Sequence, residues 1–280
     1  MNLLKLSPDF DADYLECKGA LTDWSAAANR LFASGCEAQG FALLASFAAP
    51  LMSLFRTNEG GAVVSIWGGK KSGKSIAHAA CDSVWGTVDQ CNLAPHAGPM
   101  RYVKLTQLCN MPALDDSLGG RDPEIVHTFL ENVVRRTKEP AWQTILISFS
   151  PRALGDVPGV EVQVGVPKAL HADHAKGRDP LAFDLLNNRG NAGVAYLRWL
   201  TQEVNQKWAR KALASQMAEM VEDYPSLDSE RFTMRAIAAC HVAGQITATL
   251  GILEFEPDRI TRWVRDQAFG AKTPQPQPAG

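Results

Sequence analysis

Gly60-Gly-Ala-Val-Val-Ser-Ile-Trp-Gly-Gly-Lys-Lys-Ser-Gly-Lys-Ser-Ile-Ala-His-Ala-Ala-Cys-Asp-Ser-Val-Trp-Gly86 is the stretch that decides the fold. Within it Gly68, Gly69, Lys70, Lys71, Ser72, Gly73, Lys74 and Ser75, with Ile76 behind them, satisfy the phosphate-loop pattern G-x-x-x-x-G-K-[ST]. The apolar run Ala62 to Trp67 in front reads as a buried strand, and Ser75 to Trp85 behind reads as a helix ended by Gly86. That setting suits a loop whose backbone N–H groups curl round a β-phosphate at a helix N-terminus. Lys74 then reaches the β/γ oxygens and the Ser75 hydroxyl is the candidate ligand for Mg²⁺. A chance glycine-rich turn is the plainer alternative, and the flanking strand and helix argue against it. ATP and Mg²⁺ are the expected cofactors.

Downstream, residues 88–100 carry Pro95, Gly98 and Pro99 and read as a loop, with Tyr102 to Thr106 as a short strand after it. Met111-Pro-Ala-Leu-Asp-Asp116 is an apolar run ending in two carboxylates. In loop-type ATPases a second strand ends in an acid that orders the Mg²⁺ shell, and a neighbouring acid polarises the attacking water. Asp115 fits the first task and Asp116 the second, although two aspartates after a proline also make an ordinary turn or cap. Residues 122–136 have helical spacing and close on Arg135, Arg136 and Lys138. Gln143 to Ser150 is β-branched, apolar and stopped by Pro151. Ser148 and Ser150 are its candidate γ-phosphate sensors, and Arg152 follows at once. Val160 to Val166 reads as a further strand.

Strands alternating with helical runs predict an α/β core with a mainly parallel sheet. Four regions are expected: an arm and helical segment over 1–58, the core over 59–168, a helical region over 169–270 and a disordered tail over 271–280. Two helices are expected within Leu21 to Phe55 and three more over Ala192 to Val221, Ser229 to Leu250 and Asp258 to Phe269. Arg259, Arg262 and Arg265 on the last of these read as a solvated face. The first seventeen residues read as an irregular arm, a candidate strap onto a neighbouring subunit. His171 and His174 lack further ligands nearby and read as an exposed loop.

The 280 residues carry a formal charge of −2 and a pI near 6.3, which leaves no global nucleic-acid footprint. Any DNA contact must therefore be local. Six cysteines without a C-x-x-C pair suit reduced thiols better than disulfides or zinc. With no secretory leader and no apolar run approaching a membrane span, the expectation is a soluble cytoplasmic protein without membrane contact.

Taken together, these stretches resemble a family of phage and plasmid P-loop ATPases, known as a domain of unknown function usually C-terminal to primase modules. Ser83-Val-Trp-Gly86 after the loop is the most specific part of the likeness. Ala49-Pro-Leu51, Met111-Pro112, Gly190-Asn-Ala-Gly193, Ala243-Gly244 and Gly251-Ile-Leu253 support it. The resemblance implies a RecA-like, additional-strand or superfamily 3-like motor: a homo-oligomeric ring, hexameric by preference, working as a helicase on single-stranded DNA in the replication of a mobile element. Three departures stand out. The family's second acid is glutamate where this chain has Asp116, and its strand arginine is replaced in the matching stretch by Gln163. The chain also contains no primase module, which makes a separate primase or polymerase an expected partner. The trans-acting arginine is then expected at Arg152, or else at Arg135 or Arg136, and Arg135, Arg136 and Lys138 are the candidate DNA contacts. A nucleotide-gated switch that binds ATP and oligomerises without translocating is the rival from another class, and a small-molecule kinase a third.

Overall fold

Leu21–Asn29 forms α1 and Glu37–Ala48 forms α2, each followed by a 3₁₀ turn, Arg30–Phe32 and Ala49–Phe55. The structure, a computed structural model, describes residues 15–55, 57–86, 91–135, 137, 141–165, 170, 179–224 and 230–270. Every residue of α2 from Ala38 to Ala48 is buried, as expected for a helix apolar on all sides. Together with its 3₁₀ turn it makes a nineteen-residue stretch, Glu37–Phe55, long and apolar enough to cross a membrane, against the expectation of no such run. It is 89% buried within the fold, which accounts for its composition.

The sheet begins with β1, Gly61–Trp67, and the glycine-rich loop leads from it into α3, Lys74–Val84. Then follow α4 (Pro99–Leu108), β2 (Ala113–Asp115), α5 (Pro123–Val133), β3 (Thr144–Ser150) and β4 (Gly159–Gln163). All pairings are parallel and the strand order is β2-β3-β1-β4. This is the expected α/β class, with helices on both flanks. The additional strand, β3, lies between the loop-bearing strand and the acidic one. β3 is buried along its whole length and β1 up to Trp67, so both read as continuous apolar runs without alternation.

Tyr102 to Thr106, expected as a strand, is the middle of α4. Pro99 sits at its first turn, and Arg101, Leu105 and Leu108 are its buried residues, a helical period that the short window concealed. The extra pairing lies earlier: Leu93 N–H donates to Leu114 (2.7 Å) and Leu114 N–H to Cys91 (2.8 Å).

The C-terminal helices are α6 (Pro180–Asn187), α7 (Asn191–Leu200), α8 (Glu203–Asp223), α9 (Arg231–Thr249) and α10 (Pro257–Phe269). The helix expected over 192–221 breaks into α7 and α8 where Gln202 turns extended and the Asn205 amide takes the Trp199 carbonyl (2.8 Å). α6 was not expected. Asp179 caps it by accepting from the Leu181 and Ala182 N–H groups. On α10 the arginine face is less free than expected, since Arg259 pairs with Glu37 and Arg265 with Glu219, both at 2.9 Å. These bonds tie α10 to α2 and α8. Residues 1–14, His171, His174 and the tail lie outside the described residues. Glu16 pairs with Arg189 (2.6 Å) and Lys18 N–H donates to the Arg189 carbonyl (2.9 Å), so the end of the arm lies on its own chain.

The orientation of α3 is fixed at its C-terminal end. Trp85 is fully buried and its Nε1–H donates to Ser46 of α2 (2.9 Å). Trp24 of α1 donates to Ser83 (2.8 Å), and Gly190 N–H donates to the Ser83 carbonyl (2.8 Å). α7 approaches so closely that a Cβ on Gly193 would lie 2.4 Å from the Val84 carbonyl and 2.8 Å from the Trp85 ring. Gly193→Ala is therefore expected to lower stability by about 1–3 kcal/mol through overpacking, despite alanine's better helix propensity; urea denaturation at fixed pH measures this.

Candidate functional site

Because all strands are parallel, the ends of β1, β3 and β2 open on one edge of the sheet, and the glycine-rich loop rises from the middle. Gly73 takes a left-handed conformation (φ 82°) at the start of α3, where a side chain would be strained. Ahead of it Lys71 also has positive φ, 63°. Gly69 to Ile76, together with Asp179, line a cleft of about 620 Å³. Gln39 of α2 reaches the loop from behind and its Nε2 donates to the Ser72 carbonyl (2.8 Å). At the other end Gly68 N–H donates to the Ser150 carbonyl at the tip of β3 (3.1 Å).

Lys74 folds back over the loop. Its Nζ donates to the carbonyls of Gly68 and Gly69 (2.8 Å for Gly69) and to Ser72 Oγ (3.0 Å). Burial pulls its pKa below the usual lysine value. With three acceptors around one ammonium, an anion entering the cleft must draw Lys74 away from carbonyls that hold it only as neutral partners.

The two aspartates are treated very differently. Asp115 is fully buried. Its Oδ1 accepts from Ser117 N–H and Ser117 Oγ, both 2.8 Å, and its Oδ2 pairs with Arg101 Nη1 at 2.7 Å. Arg101 is itself only 4% exposed. It also donates to the His96 carbonyl (3.0 Å) and Ser117 Oγ (2.7 Å) and lies over the Phe129 ring at 5.2 Å. Each carboxylate oxygen has two lone pairs, so Oδ1 is saturated and Oδ2 keeps one acceptor site. Asp116, by contrast, is exposed.

β3 supplies the remaining polar groups. Ser148 pairs in register with Asp115 on one side and Ser65 on the other, and Ser65 pairs with Glu161 and donates to it (3.0 Å). A polar row thus crosses the sheet. Ser148 Oγ is buried in that row without a hydrogen-bond partner. Ser150, at the tip, bonds the Arg152 backbone in both directions. The exposed Arg152 side chain donates from Nε to the Gly119 carbonyl (3.0 Å), beside the loop that follows Asp116.

Ser75 offers an oxygen of the hard type that Mg²⁺ takes, exposed in the cleft, and Asp115 offers the spare site on Oδ2. The donor chemistry therefore fits the ion. Arg135 lies elsewhere: its carbonyl accepts from Gly60 N–H (3.2 Å), ahead of β1, at the sheet edge opposite the glycine-rich loop. Arg136 and Lys138 lie outside the described residues. Sequence reasoning missed Arg101, which falls between the segment read as a loop and the one read as a strand, along with Gln39 and Asp179, which carry no local signal and reach the loop only through the fold.

Fold and loop define an α/β protein of the additional-strand class with a glycine-rich loop before its central helix. The model of a domain of unknown function, DUF927, matches residues 5–104, a span that includes the loop and stops short of the acidic pair. No curated protein matches the chain. Among solved structures it is similar to SCCmec type IV Cch, an active helicase, with a TM-score of 0.70 and 13% identity. The similarity covers 94% of this chain and 52% of that one, so the chain spans about half the length of the structure it matches. At that identity the likeness is one of fold.

The Arg101–Asp115 pair yields a direct prediction. Arg101→Met strands a buried carboxylate and is expected to destabilise the protein by about 3–5 kcal/mol, whereas the double change with Asp115→Leu recovers most of the loss. Chemical denaturation of the two single variants and the double variant completes the cycle.

Proposed function

We propose that the chain is an ATP-driven, Mg²⁺-dependent DNA helicase or translocase that forms a ring, hexameric by preference, and serves the replication of a phage or other mobile element. The strand order supports this most: the glycine-rich loop, the tip of β3 and the end of β2 share one sheet edge. The fold-level likeness to a helicase points the same way.

In this reading Gly68 to Ile76 wrap the phosphates, and Lys74 exchanges its carbonyl partners for β/γ oxygens. Mg²⁺ held at Ser75 and, through Oδ2, Asp115 would neutralise phosphate charge. Asp116 orients the attacking water. The water oxygen bonds to the γ-phosphorus as the bond to the ADP oxygen breaks, and the proton released passes by way of Asp116 to solvent. Ser150, with Ser148 behind it, senses the γ-phosphate, and Arg152 reaches the nucleotide of a neighbouring subunit. Residues 59–168 act as the motor core, with 1–58 and 169–270 as helical flanks and 271–280 as a tail. Single-stranded DNA runs past Arg135, Arg136 and Lys138, a separate primase or polymerase supplies priming, and the setting is the cytoplasm.

The switch reading, ATP binding and oligomerisation without translocation, is favoured by one observation, the capture of Asp115 by Arg101. Lys74→Ala is expected to reduce ATP turnover by about 100-fold or more. Stimulation of the wild-type ATPase by single-stranded DNA supports the motor; tight ATP binding with negligible turnover, with or without DNA, supports the switch.

A further inference from the structure

The first half of α8 and the end of α7 run against the net charge of the chain. Residues 191–215 hold one carboxylate, Glu203, against Arg198, Lys207, Arg210 and Lys211, in a protein of formal charge −2. The last turn of α8 reverses this balance, with Glu222 and Asp223 and no basic residue. A helix macrodipole favours cations near the C-terminus and acids near the N-terminus. Helix stability therefore does not account for bases placed ahead of acids.

Val204, Lys207, Trp208 and Lys211 follow at spacings of three and four, which sets them on one stripe of α8, and all four are exposed. Gln206, Ala209, Leu213 and Met220, on the opposite side, are buried. Trp208 is the largest apolar side chain exposed among the described residues, at 44%. Its ring meets Trp199 of α7 edge-on, with centroids 5.8 Å apart and planes at 85°. An edge-on neighbour covers at most one indole face, so Trp199 props the ring and leaves it a face. The corner beneath is fixed by the bond from Asn205 to the Trp199 carbonyl (2.8 Å).

Lys207 pairs with Glu203 at 2.8 Å, with both side chains largely in solvent. An exposed pair of this kind contributes little and yields readily to a phosphate. Lys211 stands one turn on, about 6 Å along the axis, close to the separation of successive phosphates in an extended strand. An open indole face beside two ammonium groups fits a ligand that carries flat rings and anions in alternation, which is the chemistry of single-stranded nucleic acid. A duplex brings the phosphates but keeps its bases stacked on one another.

We propose that the Val204–Lys211 face of α8, with Trp199 behind it, is a contact surface for single-stranded DNA. An unpaired base stacks on Trp208, and the adjoining phosphates take Lys207 and Lys211. The inference rests on the DNA part of the reading above, and adds a surface on the C-terminal helices to the candidates Arg135, Arg136 and Lys138.

The test measures binding of the full chain to labelled oligo-dT by fluorescence anisotropy, with Mg²⁺ and a non-hydrolysable ATP analogue present. Trp208→Ala is expected to raise Kd about 5- to 100-fold, the range for one base–aromatic stack. Trp208→Phe, which keeps a ring, is expected to recover much of that loss. Lys207→Ala combined with Lys211→Ala is expected to weaken binding and to reduce the steepness of log Kd on log salt by about 1.4. Glu203→Gln, which releases Lys207, is expected to tighten binding about 2- to 5-fold. Sedimentation velocity without DNA records the assembly of each variant. Wild-type affinity retained by Trp208→Ala overturns the inference and spares the DNA reading. A loss of binding that tracks a loss of assembly does the same, since a second copy of the chain then covers this face. Absence of oligo-dT binding by the wild type overturns both.

Discussion

Everything at the candidate site depends on how α3 is seated, and α3 is seated by Trp85. The indole is fully buried, anchored to Ser46 and edge-on to Tyr196 at 6.5 Å. Phe47 closes a triangle with these rings, 5.2 Å from Tyr196 and 6.2 Å from Trp85. Three helices from distant parts of the chain, α2, α3 and α7, therefore meet on one aromatic cluster, where rings add geometric preference to area burial. A helix pinned at its C-terminal end presents its N-terminal end, and with it the glycine-rich loop, at a fixed angle to the sheet.

A second constraint divides the acidic pair. Asp115 is the last residue of β2, whose three residues are all buried, and Asp116 is the first residue beyond it. Asp115, in register with Ser148, goes inward and needs Arg101 to be tolerated there. Asp116, one residue on, is left to solvent. Two chemically equal groups thus acquire unequal environments from the point at which β2 ends.

Much of this was legible in the sequence. β1, β3 and the loop between β1 and α3 are continuous apolar runs and a glycine pattern, both strong local signals. The additional-strand order followed from the resemblance. Segments governed by long-range contacts were not legible. α4 has only three buried positions and resembled a strand in a short window. The break between α7 and α8 turns on an Asn205 side chain reaching back to a carbonyl. Arg101 gains meaning only once α4 lies against the end of β2. The motifs at residues 83–86 and 190–193, each read only as part of the family likeness, prove to be the two sides of one contact.

The bond from Gln39 to the Ser72 carbonyl bears on the thermodynamics of binding. A glycine-rich loop left to itself would sample many conformations, and any ligand would have to select one at an entropic cost. Here a buried amide from the most apolar helix clamps the loop from behind, and Gly68 is bonded to β3 at its other end. The loop is ordered when the chain folds, before any ligand arrives. What remains for an incoming anion is to re-aim a single flexible side chain, Lys74, so affinity reflects electrostatics more than ordering.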